Sequence, residues 1–338
     1  QASGGQAQNL YQELAINVAT RTSPEGNALQ SVVERFISRA LSEAGESGRS
    51  VSEIMNDRLG ALSEMVGGYD FATVIQAYWI GHDEGRAELK GHAVRWLRGE
   101  YQTKTDAKRD LGVRTYVDDN SLYDHLKLFA RFVRLAGYDG LLVSLDEMVN
   151  LYKISHTQSR QANYEQILRM VNDCLQGSVR GLGFMLGGTP EFLMDPRRGL
   201  YSYEALQTRL QENAFASDEL RDFSGPVIRL PNLSEEELYV LLSKLRNVQS
   251  GGDPERHLVP DQALNQFMQH CSQRIGAEYF QTPRNTIKAF VQMLAILEQN
   301  AEARWQDLIG NVPIENDSEP DATDSAAADG DELASFQI

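Results

Sequence analysis

Only two cysteines, Cys174 and Cys271, occur in 338 residues, without metal-ligand spacing. That excludes a disulfide scaffold and points to buried thiols in a reducing compartment, the cytoplasm. The six histidines are scattered, and no ligand set with metal-binding spacing surrounds the nearest pair, His82 and His92. No apolar run approaches the ~18 residues that cross a bilayer, mean hydropathy is −0.41, and no membrane partner is expected. Positive charge is also scarce. Lys and Arg number 32 against 48 Asp and Glu, for a net charge of −16. No basic face stands out, so a general attraction to nucleic acid is not supported.

The acidity is uneven. Residues 315–338 hold eight acids and no Lys or Arg; without them the net −16 falls to −8. This acidic tail, residues 313–338, reads as disordered and solvating. The whole chain is 41% hydrophobic, enough for two or three packed units. Residues 8–21 look helical. From 28 to about 110 apolar residues recur at helical spacing, as in Val32, Val33, Phe36, Ile37, Ala40 and Leu41, with no strand signal. Another helix is expected over 118–136. It runs through Gly137 into Leu141, Leu142, Val143 and Leu145, an apolar run too short for a helix core. A helix near 159–176, a strand at 182–188 and a third strand at Pro226–Leu230 follow. Strand, helix, strand, helix, strand predicts an α/β fold with a doubly wound parallel sheet. After Pro231, Ser234 to Glu237 forms a capping box that opens a small helical unit. The expected organisation is an α/β core in 1–27 and 111–232, a helical insertion in 28–110, a helical lid in 233–312, and the tail.

The first strand ends abruptly in Asp146 and Glu147. Open α/β sheets place ligands at the carboxyl ends of their strands. In nucleoside triphosphatases the first acid there holds Mg²⁺ through water and the next polarises the attacking water; the alternative is a strand that stops at two solvated acids. The motif that cradles phosphates, G-x-x-x-x-G-K-S/T, does not occur between Gln1 and Ile338. Gly45-Glu46-Ser47-Gly48-Arg49-Ser50 is the nearest imitation and lacks the lysine and the spacing. The chain opens on Gln1 rather than Met, and the expectation is a piece of a longer protein whose first strand and P-loop lie upstream.

Thr189 ends the second strand in Gly187-Gly188-Thr189-Pro190, either orienting water or γ-phosphate, or simply closing a turn. Arg209 follows on a helix and could reach a neighbouring subunit's nucleotide; Arg197 and Arg198 are rivals for that role. Thr282 and Pro283 suit the N-cap and first turn of the last helix. Arg284 beside them opposes the helix dipole, which favours either a phosphate partner or a solvated side chain.

Taken in order, these features resemble an AAA+ P-loop ATPase with Walker B, sensor 1, arginine finger and a lid carrying sensor 2. The wording of residues 140–151, 183–193 and 197–203 further resembles the ATP-binding proteins of bacterial BREX phage-defence systems. The resemblance covers most of 8–300 and excludes the acidic tail. It implies ATP and Mg²⁺ as ligands, with Asp146 as the Mg²⁺ acid and Glu147 as the catalytic base. It further implies Thr189 as sensor 1, Arg209 as a finger acting on a neighbouring copy in a homo-oligomer, and Arg284 as sensor 2. Other defence-system proteins are the implied partners, with nucleotide state coupled to assembly of their complex. A fragment without a P-loop would be inactive by itself. The competing reading is a non-catalytic scaffold that keeps the sheet for packing and binds partner proteins.

Overall fold

A computed structural model describes residues 6–310, apart from 119, 214, 216–221, 231 and 276–282. The chain forms two compact units that part between Pro226 and Val227. Both are mostly helical.

The first unit is built around amphipathic helices: α1 (Gln6–Ile16), α2 (Leu29–Ser47), α3 (Val51–Leu59), α4 (Gly68–Asp83), α5 (Ala87–Leu97), α6 (Lys104–Leu111) and α7 (Leu122–Leu135). The 3.6-residue repeat that marks α2 in sequence buries Val32, Val33, Phe36, Ile37 and Ala40 on one face. Gly48 ends α2 at φ 71°, a left-handed conformation that a side chain would resist. Two residues on, Ser50 and Glu53 cap α3 reciprocally. One buried cluster runs from Leu29 to Ala136, so α7 shares its core with the helices before it. At its centre the Phe132 ring lies 5.1 Å from Phe36 and 5.2 Å from Phe71. Asp70 is buried at 7% exposure, and its carboxylate accepts the backbone N–H groups of Arg114 (2.9 Å) and Thr115 (2.7 Å), pinning the chain beyond α6 to α4. His125 is buried beside Tyr11 and Trp96, and desolvation depresses its pKa.

Beyond α7 the chain enters β1 (Leu141–Leu145), α8 (Val149–Lys153), α9 (Thr157–Leu175), β2 (Leu182–Leu186), α10 (Pro190–Met194) and α11 (Glu204–Arg209). The strands are parallel, from Leu141 against Leu182 to Leu145 against Leu186. The doubly wound sheet expected from the sequence is present among the described residues only as this pair. Val227 to Leu230 do not form the expected third strand. Pro226 removes a ladder donor just before them, and Ile228 and Leu230 stand 56% and 88% exposed. Apolar alternation makes a strand only where a neighbouring edge accepts its hydrogen bonds, and no described edge does so here.

The second unit holds α12 (Glu235–Gln249), α13 (Asp261–Ile275), α14 (Pro283–Gln299) and α15 (Trp305–Ile309). Ser234 and Glu237 form the anticipated capping box. Leu238, Leu242, Phe267, Phe290 and Leu294 fill its core. Arg246 is 6% exposed and is compensated by the Val259 carbonyl (3.1 Å) and Asp261 (2.7 Å). Among the described residues no helix is long and apolar enough to cross a membrane. The tail lies outside the described residues.

Candidate functional site

The carboxyl end of β1 has a specific local construction. Gly187, one residue past β2, donates its N–H to the Leu145 carbonyl (2.8 Å) and accepts from the Met148 N–H (2.9 Å). These two bonds bracket Asp146 and Glu147 and leave both side chains exposed at the end of the sheet. The turn requires Glu147 to adopt φ 55°. For a residue with a Cβ that conformation costs about 1 kcal/mol. Asp146 Oδ1 accepts the Glu147 N–H at 2.8 Å, which fixes the carboxylate's direction. Gly187 is needed for the same reason: a Cβ there would come within 2.5 Å of Asp146 Oδ1. Two acids of unlike constraint therefore sit side by side, one held by the backbone and the other projecting from a strained turn.

Thr189 follows on the neighbouring strand's exit. It is the N-cap of α10, and its hydroxyl oxygen accepts the Phe192 N–H at 3.4 Å, with Pro190 in the first turn. Gly188 lets the Phe192 ring close over this turn, since a Cβ would meet it at 2.6 Å.

A family model for BREX system ATP-binding proteins, BrxC/D, matches residues 1–312. The chain belongs to this family. No curated protein and no solved structure matches it. The family's matched region stops short of the acidic tail.

Membership of an ATP-binding family asks which residues fit a nucleotide and its Mg²⁺. Asp146 fits an ion held through water: one oriented carboxylate, exposed at the end of the sheet. Direct chelation by protein is a different arrangement, and the described residues contain no group of three or more His, Cys, Asp and Glu that could provide it. Phosphate-cradling amides of the P-loop type are not encoded within these 338 residues.

The arginines separate into different situations. Arg198 stacks 5.3 Å from the Tyr152 ring and donates to the carbonyls of Tyr152 (3.1 Å) and Ile154 (3.2 Å). It thereby satisfies the C-terminus of α8. Arg197 is exposed, and its backbone N–H donates to Asp195 (2.7 Å), which also accepts the Tyr152 hydroxyl (2.8 Å). These bonds hold the Asp195 carboxyl below its usual pKa. Arg209 ends α11 half-buried, with Nε on the Asn172 side-chain oxygen of α9 and Nη1 on the Ala205 carbonyl at 2.9 Å. Arg284 is exposed in the first turn of α14, in the second unit. Thr282, its expected cap, lies outside the described residues. Within the first unit, Asp146, Glu147 and Thr189 share the carboxyl ends of the two paired strands. The importance of Gly187 was missed in the sequence; the Gly-Gly pair after β2 was the available signal.

Proposed function

We propose that the protein hydrolyses ATP and that its nucleotide state governs assembly with other proteins of a phage-defence system. The supporting observation is the acid pair: Asp146 oriented by the backbone, Glu147 displayed by a costly positive φ, both bracketed by Gly187. Strain of this kind concentrates at functional sites. In this reading Asp146 would hold Mg²⁺ through water, and a bound ion would supply charge neutralisation at the phosphate oxygens. Glu147 orients the attacking water and accepts its proton. Thr189 stands at the neighbouring strand end to contact that water or the γ-phosphate. Arg209 acts on a neighbouring copy's nucleotide and Arg284 on the lid side. Arg209 must first exchange its bonds to Asn172 and Ala205, so its engagement is tied to a movement of α11 against α9.

Those same bonds, and the capping role of Thr189, favour the scaffold reading as the second one: both side chains already have structural work. Thermal unfolding with MgATP separates the two. A ligand bound only by the native state stabilises it, by about 2.7 kcal/mol at roughly 100 times its Kd. The ATPase reading expects the protein to melt several degrees higher in MgATP, and less so with Asp146→Ala. An unchanged midpoint with MgATP would support the scaffold.

A further inference from the structure

Two short helices leave the ends of the paired strands, and each starts beside a candidate site residue. α8 begins two residues after Glu147, and α10 begins one residue after Thr189. Each is five residues long. Isolated helices shorter than ~12–15 residues are marginal in water, so packing and outside bonds hold these two in place. Met148, Leu151 and Ile154 are buried along α8 and its flanks, and Phe192 is buried on α10.

At their far ends the two helices are joined. The Tyr152 hydroxyl, in the last turn of α8, donates to Asp195 Oδ2 at 2.8 Å, and Asp195 closes α10. Asp195 Oδ1 accepts the N–H groups of Arg197 (2.7 Å) and Arg198 (3.3 Å), which turns the chain back toward α8. Arg198 stacks 5.3 Å from the Tyr152 ring and donates to the Ile154 carbonyl at 3.2 Å. The same carbonyl accepts from the buried Arg160 of α9 at 2.6 Å, so two guanidinium groups converge on it. Gly199 completes the turn. Its N–H donates to the Asp195 carbonyl at 2.9 Å, and a Cβ there would stand 2.7 Å from the Glu191 carbonyl.

The near ends are joined as well, by the Met148 N–H on the Gly187 carbonyl. The turns that carry Glu147 and Thr189 therefore belong to one closed frame. The strand pair and Gly187 form its near side, α8 and α10 its flanks, and Tyr152, Asp195 and Arg198 its far side. Glu147 stands at φ 55°, and strain of that kind persists only where the surrounding structure over-determines it. The frame supplies that constraint. Capping α8 calls only for donors to its last carbonyls; the further link from Tyr152 to Asp195 ties α8 to α10.

Building on the ATPase reading of the acid pair, we propose that Tyr152, Asp195 and Arg198 are positioning residues for hydrolysis. They fix the far ends of α8 and α10 and thereby set where Glu147 stands relative to Thr189. Reacting groups tolerate little displacement: a misplacement of about 1 Å, caused by a change outside the chemistry, can cost about 10²-fold in rate.

The test uses two variants of the full chain. Arg198→Ala removes the stack and the carbonyl bonds. Tyr152→Phe removes only the hydroxyl bond to Asp195 and keeps the ring. Turnover at saturating MgATP should fall by up to about 10²-fold in Arg198→Ala and by less in Tyr152→Phe, with equilibrium ATP binding at the parental value in both. The two changes together should cost less than the product of their separate effects, since both open one frame. In parallel, hydrogen exchange of the Met148 amide should quicken by roughly tenfold in Arg198→Ala, while that of Phe132 in α7 keeps its parental rate. Parental turnover in both variants, or an unchanged Met148 exchange rate, overturns the proposal. Binding lost in step with turnover also overturns it, because the residues would then serve the fold alone. A parent without turnover sinks the acid-pair reading; the exchange measurement, which needs no nucleotide, still decides whether the frame holds the turn.

Discussion

Replacing Glu147 by Gln is expected to lower the protein's ATP turnover by about 10²- to 10⁴-fold, the range that general bases contribute. ATP binding should stay close to the parent's. Gln preserves the length and shape of the side chain, so the turn at φ 55° and the Asp146 hydrogen bond to the residue 147 N–H have no reason to change. What is lost is a group that can take a proton from water. The measurement pairs phosphate release at saturating MgATP with equilibrium binding of a fluorescent ATP analogue. Retained binding with collapsed turnover is the expected split. Turnover at the parental rate would remove Glu147 from the chemistry, and loss of binding would mean that the exchange disturbed the turn itself.

The second large effect concerns the frame. Phe132→Ala is expected to destabilise the first unit by about 3–5 kcal/mol, the usual cost of emptying a buried aromatic site. Phe132 is fully buried and bridges Phe36 and Phe71, so the cavity would open between three helices that have little freedom to collapse inward. Urea unfolding followed by tryptophan fluorescence reports it, because Trp96 packs edge-on against Phe71 at 6.0 Å. Trp305 belongs to the other unit, and Trp305→Phe clears its signal. A loss below about 1 kcal/mol, within what a swap that keeps core volume costs, would show that this core is loosely packed. As α7 leads directly into β1, the same variant reports how far the acid pair depends on the helices behind it.

Much of this was legible because the signals were local. The helical repeat over 28–110, the capping box at Ser234 and the abrupt end of β1 at Leu145 each depend on residues within a few positions of one another. The BREX resemblance, carried by the wording of three segments, agrees with the family match over 1–312. Other features lay beyond reach. The strand expected at 226–230 depended on an edge to pair with, and an edge is a property of the sheet. The partner of Arg209 is Asn172, on α9, and no spacing rule connects the two. Gly187 and Gly188 were visible as a turn, but their close approach to Asp146 and to the Phe192 ring depends on folded geometry.

The central claim is that the acid pair at the end of β1 is where the metal–nucleotide complex sits. An experimental structure of the Glu147→Gln protein with MgATP tests this most directly. The account predicts Mg²⁺ about 4 Å from an Asp146 carboxylate oxygen, the distance set by one intervening water, with residue 147 facing the γ-phosphate. A nucleotide bound away from the carboxyl ends of β1 and β2, with Asp146 and residue 147 in bulk solvent, would contradict it.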